Sequence, residues 1–294
     1  MDINFELYKV FYHVATSLSF SDASRKLFIS QSAVSQSIKT LERKLGQPLF
    51  IRSTKKVQLT PAGQLLLKHI EPAIHLIQRA EDQILDTNTL GFGQLNIGAS
   101  DTICRYFLVP YFQQFRERFP SVPIKVTNAT SLGCVGLLEQ GKVDLIITNY
   151  PNSRINHSYI QKTVAGFSDL FLANPAYFPL EEQEIPLAKL AGYPLLMLER
   201  RSATSEFLSQ MFLQHQLELI PEVELSSNDL LIDLAQIGLG IAFLPDYCLS
   251  GKHNNLCPIK ILEPLPKRQI VASANPGVPI SEAAKAFLEM LPEL

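Results

Sequence analysis

The 294-residue sequence has no apolar run near the roughly 18 residues that a membrane span needs, so no membrane partner is expected. Its four cysteines, Cys104, Cys134, Cys248 and Cys257, lack CxxC spacing, and its six histidines form no ligand pattern. Neither a disulfide framework, a structural metal nor a resident cofactor is expected from them. No GxSxG elbow, GxGxxG loop or P-loop occurs, and no histidine stands beside a nucleophile at a strand end, which argues against an enzyme. Met1 is followed by an acid and an amphipathic pattern rather than a basic segment and an apolar core, so a cytoplasmic chain is expected. Charged residues are only 18% against 46% hydrophobic, a globular balance that excludes disorder.

Charge is unevenly placed. Residues 1–65 hold nine Lys/Arg against four acids, net +5, whereas the remainder holds 17 bases and 24 acids, net -7. A basic head on an acidic body is expected where one part meets phosphate and the other does not. The length suggests two or three folded units.

In the head, apolar spacing predicts a helix over residues 4–17 and a short one capped by Ser21 with Asp22. Ser30 is placed to cap a third, ending at Gly46. Two helices joined by the brief Phe28-Ile29 connection are a helix-turn-helix candidate. At 100° per residue, Val34, Ile38, Leu41 and Leu45 of the third helix share an inward stripe. Ser32, Gln36, Lys39 and Arg43 lie opposite, with Ser35 on the flank. Donors, amides and positive charge without an acid suit the major groove, and Gln31 and Ser32 offer helix N-terminal N–H groups to a phosphate. An ordinary solvated face has the same look. Two β-prone runs around Arg52, Lys55 and Lys56 read as a hairpin wing beside the DNA backbone, or as a charged solubility hairpin.

The runs Phe11-Tyr12-His13-Val14-Ala15, Ser19-Phe20-Ser21-Asp22-Ala23 and Ser30-Gln31-Ser32-Ala33-Val34-Ser35-Gln36-Ser37-Ile38-Lys39 continue through Leu45-Gly46-Gln47-Pro48-Leu49-Phe50-Ile51-Arg52 to Leu59-Thr60-Pro61-Ala62-Gly63. Together they resemble, without gaps over residues 3–63, the DNA-binding signature of LysR-type transcriptional regulators. Ser24 departs from it, standing where the family usually has alanine. The resemblance implies a sequence-specific regulator with a winged helix-turn-helix over residues 1–60. It makes Gln31, Ser32, Ser35, Gln36, Lys39 and Arg52 the DNA contacts, with promoter DNA as partner and RNA polymerase as a candidate partner.

Thr60 and Pro61 open a further helical pattern through Leu66, Ile70, Ala73, Ile77, Ala80 and Ile84, the linker helix of residues 61–90, with Pro72 expected to bend it. So long a stripe calls for a partner helix, or for packing wholly on its own chain. The resemblance implies an antiparallel helix pair, hence a homodimer, or the homotetramer common in the family.

Beyond a linker at residues 88–93, strands near 94–98, 124–128 and 143–148 alternate with helices and imply a parallel α/β sheet. Ligands on such sheets bind beyond the strands' carboxyl ends. There the sequence puts Ser100 and Thr102, then Thr130 and Ser131, then Thr148 and Asn149. Helix N-termini with such hydroxyls attract anions, though the same hydroxyls also cap helices. Residues 141–147 and 238–245 resemble landmarks of the LysR-type effector domain, a two-lobed α/β fold similar to periplasmic solute-binding proteins of type II. This implies lobe I at 91–167 and 268–294 and lobe II at 168–267. It also implies contacts from Ser202 and Thr204, with the loop 226–229 as a weaker candidate. A small anionic effector between the lobes is thus expected, with cysteine redox sensing through Cys104 and Cys134 as the alternative. A cytoplasmic solute-binding protein or an α/β enzyme is the alternative class.

Overall fold

The helical spacing of the first sixty residues becomes three helices around one small core. The structure, a computed structural model, describes residues 3–52, 56–85, 92–249 and 255–294. Helices α1 (Phe5–Ser17), α2 (Phe20–Leu27) and α3 (Gln31–Leu45) bring Phe11, Val14, Ala23, Val34, Ile38 and Leu41 to complete burial. Leu45 departs from the expected stripe and is exposed. It is the last residue of α3, beyond the packed cluster, where Leu49 and Phe50 fill the core instead. The cap of α2 is Ser19 rather than Ser21. The Ser19 hydroxyl accepts from the Asp22 N–H at 3.1 Å, which lets Phe20 begin the helix and lodge its ring against Phe50.

Between α2 and α3 the chain turns through Phe28 at φ 55°, in the left-handed region. Its N–H donates to the Arg25 carbonyl and the Ile29 N–H to the Ser24 carbonyl, a Schellman closure that usually uses glycine. The Phe28 side chain is 94% exposed, so no packing compensates for the strained backbone.

Strands β1 (Phe50–Arg52) and β2 (Val57–Leu59) pair antiparallel as the expected hairpin. The Thr60 hydroxyl accepts from the Gly63 N–H and donates to the Pro48 carbonyl at 2.7 Å, opening α4 (Pro61–Leu85). Gly63 is required there, because a Cβ would stand 2.2 Å from the Leu49 carbonyl oxygen. At 1.5 Å per residue, α4 is about 37 Å long, with Pro72 inside it. The last positions of the expected linker helix, 86–90, lie outside the described residues. Leu66 and Leu67 pack on the head core, but Ile77 is 42% and Ile84 80% exposed, so this chain leaves much of the stripe's far half uncovered.

A second compact unit carries the remaining elements. They run β3 (Leu95–Ala99), α5 (Asp101–Ile103), a π-helical turn (Cys104–Leu108), α6 (Val109–Arg118), β4 (Ile124–Asn128), α7 (Ser131–Glu139), β5 (Leu145–Tyr150), β6 (Ile160–Phe167) and β7 (Asp169–Ala173). Then follow β8 (Glu184–Ile185), α8 (Leu187–Leu190), β9 (Leu195–Leu198), α9 (Ala203–Gln214), β10 (Pro221–Leu225), α10 (Asn228–Gln236), β11 (Ile241–Pro245), β12 (Cys257–Ile261), β13 (Arg268–Ala274) and α11 (Glu282–Met290). The strands form two sheets, ordered β4-β3-β5-β13-β6 and β10-β9-β11-β7-β12-β8.

Each sheet has a parallel part, β3 with β4 and β5, and β9 with β10 and β11. The three strands expected to form a parallel sheet, β3, β4 and β5, do so, while the crossing strands enter antiparallel: β13 against β5, and β7 against β11. The chain leaves the first sheet between β6 and β7 and returns along β13. Helix α11 then buries Ala283, Ala284 and Phe287 in the first lobe's core. The helical run that follows β3 is interrupted by the π-helical turn between α5 and α6. The third strand extends two residues further than expected, so Thr148 and Asn149 lie inside β5.

Replacing Phe28 by glycine should stabilise the head by about 0.5–1 kcal/mol, since glycine adopts this backbone without the Cβ penalty. Hydrogen exchange of the α2 and α3 amides should slow in Phe28→Gly. Phe28→Ala, which keeps a Cβ, should give no gain; equal slowing in both would contradict the strain.

Candidate functional site

With Val34, Ile38 and Leu41 inward, α3 has one rotation, and Gln31, Ser32, Gln36, Lys39 and Arg43 are all exposed, with Ser35 half-buried. Ser30 caps the helix by accepting from the Ala33 N–H, and its hydroxyl is 2.9 Å from that of Ser32. Glu42 had no assigned role in the sequence. Its carboxylate accepts the backbone N–H groups of Leu49 at 2.8 Å and Phe50 at 3.2 Å, tying the root of the hairpin to α3. The hairpin therefore cannot rotate freely against the exposed face. Lys56 is exposed beside β2. Arg52 lies in β1, but its side chain, and Lys55 entirely, fall outside the described residues.

In the second unit, N-terminal turns from both sheets meet at a cavity of about 350 Å³. Six of the seven hydroxyl residues anticipated there line it: Ser100, Thr102, Thr130, Ser131, Ser202 and Thr204. Thr148 does not. It is completely buried within β5 and is absent from the cavity wall, whereas its neighbour Asn149 is part of it. Arg105, Arg200 and Arg201 are not part of the wall either, Arg105 pairing with Asp229 and Arg200 with Glu224.

Every one of the six hydroxyl oxygens accepts a hydrogen bond from the protein. Ser100 receives the Ile103 N–H, Thr130 the Gly133 N–H and Ser202 the Ser205 N–H, each capping its helix. Ser131 receives the Asn149 N–H, Thr102 the Asn228 amide and Thr204 the Arg268 guanidinium. A hydroxyl that is already accepting keeps its one proton to donate. Accepting a bond from the protein and donating one to a ligand are therefore compatible in this wall.

The two lobes are joined around the cavity by side chains. Asn228 donates to Thr102 at 2.9 Å, Tyr247 to Asn149 at 3.1 Å and Ser153 to Glu206 at 2.9 Å. Arg105 and Tyr106, from the π-helical turn, both donate to Asp229. Behind the wall, Arg268 on β13 and Asp169 on β7 form a fully buried ion pair at 2.9 Å. The guanidinium lies over the rings of Phe207 and Phe167, at 4.8 and 5.2 Å. Burial pushes the Asp169 carboxyl upward, and Arg268 offsets only part of that. Sequence reading missed Arg268, because nothing local distinguishes it from a surface arginine. Asn149, Asn228 and Tyr247 also line the cavity.

A family model described as "Bacterial regulatory helix-turn-helix protein, lysR family" matches residues 5–64, and one described as "LysR substrate binding domain" matches residues 89–294. The chain belongs to the LysR family. It is a DNA-binding transcriptional regulator. A probable RuBisCO transcriptional regulator of Synechocystis sp. is 30% identical, across 99% of this chain and 87% of that one. The structure is similar to that of CbnR complexed with its target DNA, at TM-score 0.67 and 18% identity, covering 98% of this chain and 99% of that one. The regulatory domain of Synechocystis PCC6803 CcmR in complex with 2-PG matches at TM-score 0.62 and 20% identity, covering 67% of this chain and 95% of that one. The LysR-family relationship accounts for the winged head followed by a two-lobed α/β domain.

The cysteines do not favour redox sensing in this LysR-type chain. Burial pushes the Cys104 thiol up to about 11 and the Cys134 thiol up to about 12, with burial raising Cys248 also. A raised thiol pKa means less thiolate at any given pH, and the thiolate is the reactive form. At pH 8, Cys104 should alkylate about a hundredfold more slowly than an ordinary free cysteine. Site-resolved mass spectrometry after timed iodoacetamide treatment measures this. Rapid labelling of Cys104 or Cys134, or loss of DNA binding on mild peroxide treatment, would contradict the inert reading.

Proposed function

We propose that this LysR-type regulator holds promoter DNA through Gln31, Ser32, Ser35, Gln36, Lys39 and Arg43 of α3 and through Arg52, Lys55 and Lys56 of the wing, and responds to a small anionic metabolite bound between its lobes. One observation carries the effector reading: six hydroxyls with protons left to donate converge on a single cavity at helix N-termini. Oriented donors without a fixed cation suit an anionic group. The CcmR regulatory domain in complex with 2-PG agrees with a small-molecule ligand in this domain.

The division into head (1–60), linker helix (61–90) and effector domain (91–294) belongs to this reading. So does a homodimer formed through α4, which would cover Ile77 and Ile84, with a homotetramer as the next assembly. Two heads on one two-fold axis fit half-sites about one helical turn apart or a multiple of it. The ligand acts by binding one arrangement of the lobes better than another, and so biases the DNA-bound state. No step of this requires catalysis. RNA polymerase is the candidate downstream partner, and the cytoplasm the setting; among the described residues no helix is long and apolar enough to cross a membrane.

DNA binding is tested by titrating the duplex upstream of the protein's own gene at several salt concentrations. Lys39→Ala should flatten the salt dependence of the binding constant by roughly 1 log unit per log unit of salt for each phosphate that is no longer neutralised. Gln36→Ala should lower specific affinity by about 1–3 kcal/mol while affecting random duplex little. Unchanged behaviour in both would remove α3 from the interface.

The cavity is tested by Ser100→Ala combined with Thr102→Ala, which should abolish the effector-induced change in DNA complex mobility. A wild-type response from the double variant would contradict the assignment.

A further inference from the structure

The cavity wall has a second character that its hydroxyls do not explain. Among the described residues its only two charged ones are acids: Asp101, the first residue of α5, and Glu199, just after β9. Both are exposed, and neither carboxylate forms an ion pair among the described residues. Asn228, only 5% exposed, lines the same cavity. Its amide nitrogen is used on Thr102, while its Oδ1 is buried with no hydrogen-bond partner. A buried amide oxygen without a donor is costly, and a ligand N–H would relieve it. The cavity's lining therefore combines hydroxyl donors with two carboxylates and, behind the surface, an amide oxygen that still lacks a donor.

Charge counting separates the ligand classes. The N-terminal turns of α7, α9 and α10 each contribute about half a positive charge, roughly +1.5 in all, against two full carboxylate charges. A dianion, such as a phosphomonoester or dicarboxylate, would meet a wall with no net positive charge. A simple monocarboxylate would leave Asp101, Glu199 and the Asn228 oxygen unanswered. A molecule with one carboxylate and one protonated amine answers both sets. The cavity of about 350 Å³ lies toward the small end of ligand pockets, which run to roughly 300–1,000 Å³.

We propose that the effector is a small zwitterion of the α-amino-acid class. Its carboxylate is held by the hydroxyls at the N-terminal turns of α7 and α9, and its ammonium group by Asp101, Glu199 and Oδ1 of Asn228. This rests on the cavity being the effector site, and narrows the anionic ligand to one whose charge is balanced within the molecule.

The test is calorimetric titration of the full chain with the L-amino acids, their α-hydroxy-acid counterparts, their methyl esters, malonate and inorganic phosphate. At least one amino acid should bind about tenfold or more tightly than its hydroxy acid and its ester, which each lack one charge. Asp101→Asn with Glu199→Gln should erase most of that preference for the amine over the hydroxyl, and circular dichroism melting checks that the variant is folded. Thr130→Phe, which fills the cavity from an exposed wall position, should abolish the binding.

If malonate or phosphate binds, no amino acid does, and Thr130→Phe abolishes that binding, the zwitterion proposal is overturned while the cavity remains the effector site. If binding survives Thr130→Phe, or no probe of any class binds, the site assignment falls and the proposal with it.

Discussion

The burial of Val34, Ile38 and Leu41 is the constraint on which the head depends. Each side chain removed from water is worth about 1.5–3 kcal/mol, and all three are fully covered. Rotating α3 by a quarter-turn would expose them and bury Lys39 or Gln36 without partners. The outward face is thus held by the inward one, not by any interaction of its own. Two further contacts carry that orientation to the hairpin. Glu42 holds the amides of Leu49 and Phe50, and Gly63 lets α4 pass within reach of the Leu49 carbonyl. A reading helix, a wing and the start of the linker helix are set by one small core.

The effector domain is organised differently, around strands that cross between lobes. Arg268 begins β13 and Asp169 begins β7, so their buried pair ties the two crossing strands together, and the same guanidinium reaches Thr204 in the cavity wall. Burying such a pair is costly and contributes little net stability, but removing one partner would leave an uncompensated charge and cost about 3–5 kcal/mol. The pair therefore acts mainly to specify how the strands meet. Around it, Asn228, Tyr247 and Asp229 make contacts between lobes that are few and partly exposed, the kind that can be exchanged when a ligand enters.

The sequence was most legible where periodicity and local chemistry agree. The 100° rotation of α3 separated inner from outer residues except at Leu45, where the helix ends before the core can cover it. Ser100, Thr102, Thr130 and Ser131 were found from the strand–helix alternation and Ser202 and Thr204 from the family resemblance, and all six share one cavity. Thr148 was misplaced because β5 runs two residues further than its apolar run suggests, held by pairing with β13 from more than a hundred residues away. The cap of α2 shifted to Ser19 because burial of Phe20, a tertiary effect, decided between two serines. Arg268, Asn228 and Tyr247 gain their roles only when distant strands and turns meet, and no local pattern announces them.

The central claim is that the polar face of α3 lies in the major groove of a specific duplex. Guanine N7 methylation places a group in that groove and nowhere else, so methylation interference on the promoter upstream of the protein's own gene tests it most directly. The account predicts two short clusters of interfering guanines, about one helical turn apart or a multiple of it, that Gln36→Ala weakens or relaxes. Binding that tolerates N7 methylation throughout the protected region would contradict it.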